Sequence, residues 1–251
     1  MLRCASGTAT LTGMEIVDLL GRLRSELIAA FAPPACPACR TPLASSGAAL
    51  CLDCRRALPW LADPRCRRCG LPLPCADRRG RCPAAGAVFD RAWAPLAHDG
   101  PARQLVAALK FRGALPVARI MAAQIAAMMP RELSADGVLV PVPLHPARRR
   151  ARGFDQAALI GAALARRADL PLVACLRREG RPTRQLGAGR AARQEAARGQ
   201  LLRVSGTVPA RVLLVDDVHT TGATFDACAR ALRAAGAGEI AAISYARTLP
   251  L

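Results

Sequence analysis

The stretch Val212-Leu-Leu-Val-Asp-Asp-Val-His-Thr-Thr-Gly-Ala-Thr224 decides how this chain is read. Four apolar residues run into two carboxylates, then a threonine- and glycine-rich turn, then residues 223–235, whose pattern predicts a helix. The apolar run is what a strand buried on both faces of a parallel sheet requires. In open α/β sheets ligands collect beyond the carboxyl ends of the strands. Asp216 and Asp217 therefore stand where acids accept hydrogen bonds from vicinal ribose hydroxyls. Thr220, Thr221 and Thr224 offer hydroxyls, and Gly222 admits close backbone approach. The free amides of the helix beginning at Ala223 face a 5-phosphate. A capped helix after a core strand is the plainer alternative for the pattern. His219 is expected to face solvent.

The flanking sequence supplies the rest of such a sheet. Strands are expected at residues 89–96, 138–142, 172–176, 211–215 and 239–246. Helices are expected at 101–109, 115–129, 156–167 and 223–235. Strands alternating with helices predict an α/β fold with a parallel-dominated sheet flanked by helices. Between the second strand and its helix, residues 143–156 read as a loop holding Arg148, Arg149, Arg150 and Arg152, followed by Gly153. Such a loop clamps a pyrophosphate or is merely solvated, and Asp216-Asp217 downstream favours the clamp. Residues 181–200 are polar, glycine-bearing and long for a connector, as active-site lids are. Arg190 or Arg193 would close over a leaving pyrophosphate there. Lys110 is the only lysine, so there is no Walker loop, and no G-x-G-x-x-G occurs.

Upstream the character changes. Residues 14–31 carry Ile16, Leu20, Leu23, Leu27 and Phe31 at helical spacing until Pro33-Pro34, predicting an amphipathic helix that packs on the rest of the protein. From Cys36 to Cys82 the chain is rich in Pro, Cys and Arg, with too little apolar surface to fold unaided. It holds Cys36-Pro-Ala-Cys39, Cys51-Leu-Asp-Cys54, Cys66-Arg-Arg-Cys69 and the looser Cys75 and Cys82. Paired thiolates at C-x-x-C spacing reach one tetrahedral ion, and four close a structural zinc site. The simplest assignment puts Cys36, Cys39, Cys51 and Cys54 on one Zn²⁺ and Cys66, Cys69, Cys75 and Cys82 on a second; interleaved pairing stays open. Redox pairs sit between a strand and a helix of a larger fold, and none of these does.

Composition limits the partners. The formal charge is +18, from 36 basic and 18 acidic residues, and nearly every cation is arginine, whose planar fork suits phosphate. A polyanionic partner is favoured. Hydrophobic content is 52% and aromatic content 3%, so the core must be built from Ala, Leu and Val. No apolar run reaches the roughly 18–20 residues that span a bilayer, and no leader pattern opens the chain, so a cytoplasmic protein without a membrane span is expected. In that reducing compartment, eleven cysteines point to metal ligands.

The thirteen-residue stretch resembles the phosphoribosyl pyrophosphate signature of type I phosphoribosyltransferases nearly position for position. With the cysteine pairs, Leu109-Lys-Phe-Arg-Gly113, Val140-Pro-Val-Pro-Leu-His-Pro146, Arg152-Gly-Phe-Asp-Gln156 and Thr183-Arg-Gln185, the chain resembles the bacterial ComF family, which includes the GntX-like proteins. The resemblance implies an N-terminal helix over 14–34, a double zinc ribbon over 35–86 and a type I phosphoribosyltransferase-like domain over 87–251. It implies phosphoribosyl pyrophosphate with Mg²⁺ as ligand, held at Asp216, Asp217 and Thr220, Thr221, Gly222, Ala223 and Thr224. Arg148, Arg152, Gly153 and Lys110 are implied on the pyrophosphate, with Asp216, Asp217 and Arg193 as catalytic residues. It also implies a role in DNA uptake and natural transformation, with single-stranded DNA and a ComFA-like helicase as partners. Asp155 and Ala196 depart from the pattern, each replacing a usual Asn. Two functions stay open: pentosyl transfer, and non-catalytic recognition of a nucleotide or of single-stranded DNA.

Overall fold

The computed structural model describes residues 34–43, 45, 47–75, 80–179 and 201–250. The helix expected over 14–34, the segment 181–200 with Arg190 and Arg193, and Cys4 lie outside the described residues. The strands are β1 (Arg91–Trp93), β2 (Leu96–Ala97), β3 (Val138–Pro141), β4 (Leu176–Glu179), β5 (Leu201–Val204), β6 (Arg211–His219) and β7 (Glu239–Arg247). The helices are α1 (Leu52–Arg56), α2 (Gly100–Arg112), α3 (Val117–Met128), α4 (Arg131–Ser134), α5 (Pro146–Arg152), α6 (Gln156–Ala168) and α7 (Ala223–Ala234).

Val212, Leu213, Leu214 and Val215 are all buried, and they make β6 a central strand. β6 pairs in parallel with β3 on one side and with β7 on the other, and β7 pairs in parallel with β1 and then β2. Side chains alternate across this sheet with period two and feed two cores. Leu139, Leu213, Val215, Ala241, Ile243 and Tyr245 face one core together with residues of α2, α3 and α6. Val140, Val212, Leu214, Ile240 and Ala242 face the other with Phe225, Cys228, Ala229 and Leu232 of α7. α6, the packed helix that follows β3, and α7, which follows β6, thus lie mainly on opposite sides of the sheet. Adjacent parallel strands whose connections diverge open a crevice at their carboxyl ends, and α/β folds place ligands there.

The cysteine-rich segment forms two hairpins of one design. Ala35 bridges Pro42 and Arg65 bridges Pro72. Within them the Cys36 amide donates to Thr41 and the Cys66 amide to Leu71, each at 2.8 Å. The hairpins dock on different cores: Cys36, Ala38, Cys54 and Leu58 join the α2–α3–α6 side, and Cys69, Leu71 and Ala84 join the α7 side.

Three expectations are corrected. β6 runs to His219, so both carboxylates sit on the strand and not beyond it. Register explains this, because Asp216 still pairs with Ser244 and His219 with Arg247 of the equally long β7. The arginine segment is not a loop: Pro146 opens a helix and Gly153, at φ +83°, closes it. The strand expected at 172–176 begins only at Leu176, where it pairs antiparallel with β5, and Leu172 makes a single parallel bridge to Leu139.

Candidate functional site

Four cysteine sulfurs converge in each hairpin, Cys36, Cys39, Cys51 and Cys54 in one and Cys66, Cys69, Cys75 and Cys82 in the other, all within 4.8 Å of one another. The pairing is sequential, not interleaved. Cys39 and Cys51 Sγ stand 3.6 Å apart, and Cys66 and Cys82 Sγ 3.8 Å. A tetrahedral ion with Zn–S bonds of about 2.3 Å sets sulfurs about 3.8 Å apart, so the tetrads fit zinc with no open position. The thiols are unlike one another without an ion. The hydroxyl and amide of Thr41 bring Cys39 down to about 6, whereas burial pushes Cys54 and Cys69 up.

At the carboxyl edge of the sheet the two acids part company. Asp217, with its side chain 4% exposed, pairs with Lys110 of α2, Nζ to Oδ2 2.7 Å. Asp216 is partly exposed, and its Oδ1 accepts the Asp217 amide at 2.8 Å. Removal from water, and then the Asp217 charge, raise the Asp216 carboxyl well above its ordinary range, with Lys110 pulling the other way. Two acids here share one lysine, so the site favours a ligand bringing a cation or hydroxyl protons. Arg178 of β4 adds positive potential toward Asp216. Its Nε is buried without a hydrogen-bond partner. Sequence reading passed over Arg178, because nothing in the short Leu-Arg-Arg-Glu strand shows that the hairpin folds back toward β6.

The turn after β6 is built around His219. It was expected to face solvent, but is 2% exposed. Its ring lies 5.9 Å from Phe89 and 5.2 Å from Phe225, both at edge-on angles. Gly222, at φ +80°, sits so close that a Cβ would come within 2.8 Å of His219 Nε2. The histidine is the floor of the turn, and only glycine fits above it. Thr220 is exposed and Thr221, Ala223 and Thr224 are partly so, with Thr221 Oγ1 accepting the Ala223 amide at 3.3 Å. Thr221, Gly222 and Ala223 line a cleft of about 700 Å³ together with Pro83, Ala84 and Phe89 and with Ala227 and Arg230 of α7; Asp216 and Asp217 are not among its lining residues.

Burial lowers the His219 imidazole from its ordinary 6.5 to about 3. Between those values the unfolded chain binds a proton that the folded chain refuses, so stability must fall as pH falls. The slope reaches roughly 1.4 kcal/mol per pH unit. We expect His219→Val to flatten the loss of urea stability between pH 7 and pH 5 relative to the wild type. Parallel curves for the two proteins would contradict this.

On the β3 side, the predicted pyrophosphate residues lie on two helices. Arg148 on α5 is exposed. Arg152 stacks over Phe111, 5.8 Å to the ring centre, and its Nη1 is buried with no acceptor. Lys110 precedes Phe111 near the end of α2, so Lys110 and Arg152 approach the edge from neighbouring elements. Asp155 uses both oxygens structurally, accepting the Leu144 amide at 2.9 Å and capping α6 through Ala158 at 3.2 Å. A neutral amide has one oxygen and cannot accept both in this manner. The charge of Asp155 also acts to raise Asp216. No described helix is long and apolar enough to cross a membrane.

Known proteins resemble this chain over its cysteine hairpins and over most of its length. Residues 27–85 match the double zinc ribbon domain. The E. coli O157:H7 DNA utilization protein YhgH is 28% identical over 86% of this chain and 98% of its own length. An orotate phosphoribosyltransferase structure from Aeropyrum pernix aligns at 24% identity over 56% of this chain and 62% of its own, with a TM-score of 0.31. Competence protein F of Haemophilus influenzae is 30% identical over 84% of this chain and 96% of its own length. By that likeness, which spans most of both chains, this chain belongs to the ComF family.

Proposed function

We propose that this protein binds phosphoribosyl pyrophosphate or a ribose 5-phosphate at the carboxyl edge of its sheet, and serves DNA uptake. The observation carrying the reading is the partly exposed Asp216 near the end of β6, followed by the turn that opens α7 at Gly222. The amides at the start of α7 and the threonine hydroxyls would take the 5-phosphate. Asp216 would accept the ribose hydroxyls, with Asp217 holding Lys110 beside it. Arg152, with a buried donor awaiting an acceptor, and Arg148 would hold the pyrophosphate. Mg²⁺ arriving with the ligand would neutralise charge beside Asp216. If transfer occurs, Arg193 closes over the leaving group. The uptake role rests on relatives named competence protein F, competence protein ComFC and DNA utilization protein.

Titration calorimetry with Mg²⁺ and phosphoribosyl pyrophosphate tests the reading. Asp216→Ala is expected to weaken binding by about 10–100-fold, since hydrogen bonds to a charged group contribute roughly 1.5–3 kcal/mol. Equal heats for both proteins would refute it. A second reading, direct recognition of single-stranded DNA, is favoured by the charge of +18. It requires oligonucleotide binding that weakens steeply with salt and drops in Arg152→Ala.

A further inference from the structure

Arg247 lies at the end of β7, outside every motif read from the sequence, and it is 3% exposed. Its Nε donates to the Cys69 carbonyl at 3.0 Å. Its Nη1 is shared among the carbonyls of His219 at 2.8 Å, Thr220, and Thr248 at 3.3 Å. One rigid guanidinium thus joins a cysteine of the second tetrad to the first two residues of the turn. The fork is planar, so one end cannot shift without disturbing the other.

A second thread runs in parallel. Arg68, inside the Cys66–Cys69 pair, donates to the carbonyls of Phe89 at 2.9 Å, Asp90 at 3.1 Å and Ala87 at 2.7 Å. Phe89 in turn packs on the His219 ring beneath Gly222. The knuckle also presses on β1, where a Cβ on Gly70 would meet the Ala92 carbonyl at 3.0 Å. Among the described residues the first hairpin meets β7 through backbone alone, where Trp60 bridges Leu96, Pro59 accepts the Ala97 amide at 2.8 Å and Ala97 pairs with Arg247; it sends no side chain to the turn, and Arg112 of α2 donates to its Pro37 carbonyl.

We propose that Arg247 is a positioning residue through which the second zinc site, and not the first, sets the shape of the sugar-phosphate turn and its affinity for a phosphate dianion. The affinity half rests on the function proposed above; the mechanical half does not. With zinc bound, the Cys69 carbonyl is fixed, Arg247 is fixed on it, and the carbonyls of His219 and Thr220 are drawn down.

Full-length wild type, Cys75→Ser, Cys39→Ser and Arg247→Lys would be compared by zinc content, by amide hydrogen exchange of residues 219–224 and by calorimetry with Mg²⁺ and phosphoribosyl pyrophosphate. Exchange of 219–224 is expected to rise about tenfold or more in Cys75→Ser and in Arg247→Lys, the latter with both ions retained, and to stay at the wild-type level in Cys39→Ser. Affinity should fall about tenfold in the same two variants. Unchanged exchange in Cys75→Ser or in a folded Arg247→Lys, or an equal rise in both cysteine variants, overturns the proposal. If the wild type binds no ligand, the function reading fails, and the exchange data still decide the coupling. If Arg247→Lys does not fold, Arg68→Lys, which cuts the parallel thread and keeps Arg247, replaces it: a rise in Cys75→Ser with none in Arg68→Lys supports Arg247, and a rise in Arg68→Lys equal to that in Cys75→Ser overturns the proposal.

Discussion

Lys110→Met is expected to produce a protein whose stability falls as pH rises from 5 to 8, opposite to the acid sensitivity that His219 confers. Asp217 is almost wholly buried and Lys110 is 24% exposed, so the pair is largely shielded from solvent. Removing one partner of a buried pair costs roughly 3–5 kcal/mol, and the lysine's partial exposure sets this case toward the lower end. The loss is compounded by Asp216, already pushed up by burial and by Asp217 and eased by Lys110 and the Asp217 amide. Without the lysine, two carboxyls share one site and at least one must keep its proton. A carboxyl whose folded pKa lies above its unfolded value stabilises the fold at low pH, and that stability drains as pH climbs through the folded value. Urea unfolding of Lys110→Met at pH 5 and pH 8 measures this directly. The double variant Lys110→Met/Asp217→Asn should recover most of the loss at pH 8. A single variant that tracks the wild type at both pH values would show the ion pair to be energetically idle.

Stripping the metal from both tetrads is expected to have the largest effect on the fold. The hairpins bury few apolar side chains of their own, chiefly Leu58, Leu61 and Leu71. Zinc in small fingers supplies an apparent binding free energy of about 10–16 kcal/mol, and that binding energy is folding energy. Docking on the two cores offsets part of the loss, so the sheet should survive while the hairpins open. Metal analysis of the folded protein should give two zinc ions per chain, and a strong chelator should abolish the near-ultraviolet signal of Trp60, which bridges the first hairpin to Leu96. Acid should act like the chelator. The ion needs four thiolates, and burial raises Cys54 and Cys69 while Cys75 stands near 11, so protons compete hard below neutrality. One ion per chain, or a melting curve indifferent to chelation, would contradict this account.

Much of this protein was legible from local chemistry. The apolar run 212–215 meant a buried parallel strand, because only a strand covered on both faces tolerates four such residues in succession. Cysteine spacing meant metal, because two thiolates two residues apart reach one ion whatever surrounds them. Helix ends were less so: the helix expected over 101–109 runs to Arg112, where Gly113 closes it at φ +62°. Strand lengths were less legible, since β6 continues through two charged residues only because β7 beside it continues as well.

The sequence by itself determined the kind and order of most elements, the arginine helix excepted, and the residue types of the turn, because these depend on neighbours within a few residues. Tertiary structure alone decided that Asp217 meets Lys110, 107 positions away by their numbers, that His219 is a buried floor and not a surface group, and that Arg247 spans from the second tetrad to the turn. Each of these rests on which strands lie adjacent and which face a side chain takes. A chain encodes such facts only through its packed whole, where desolvation turns an ordinary lysine, histidine or arginine into a committed partner.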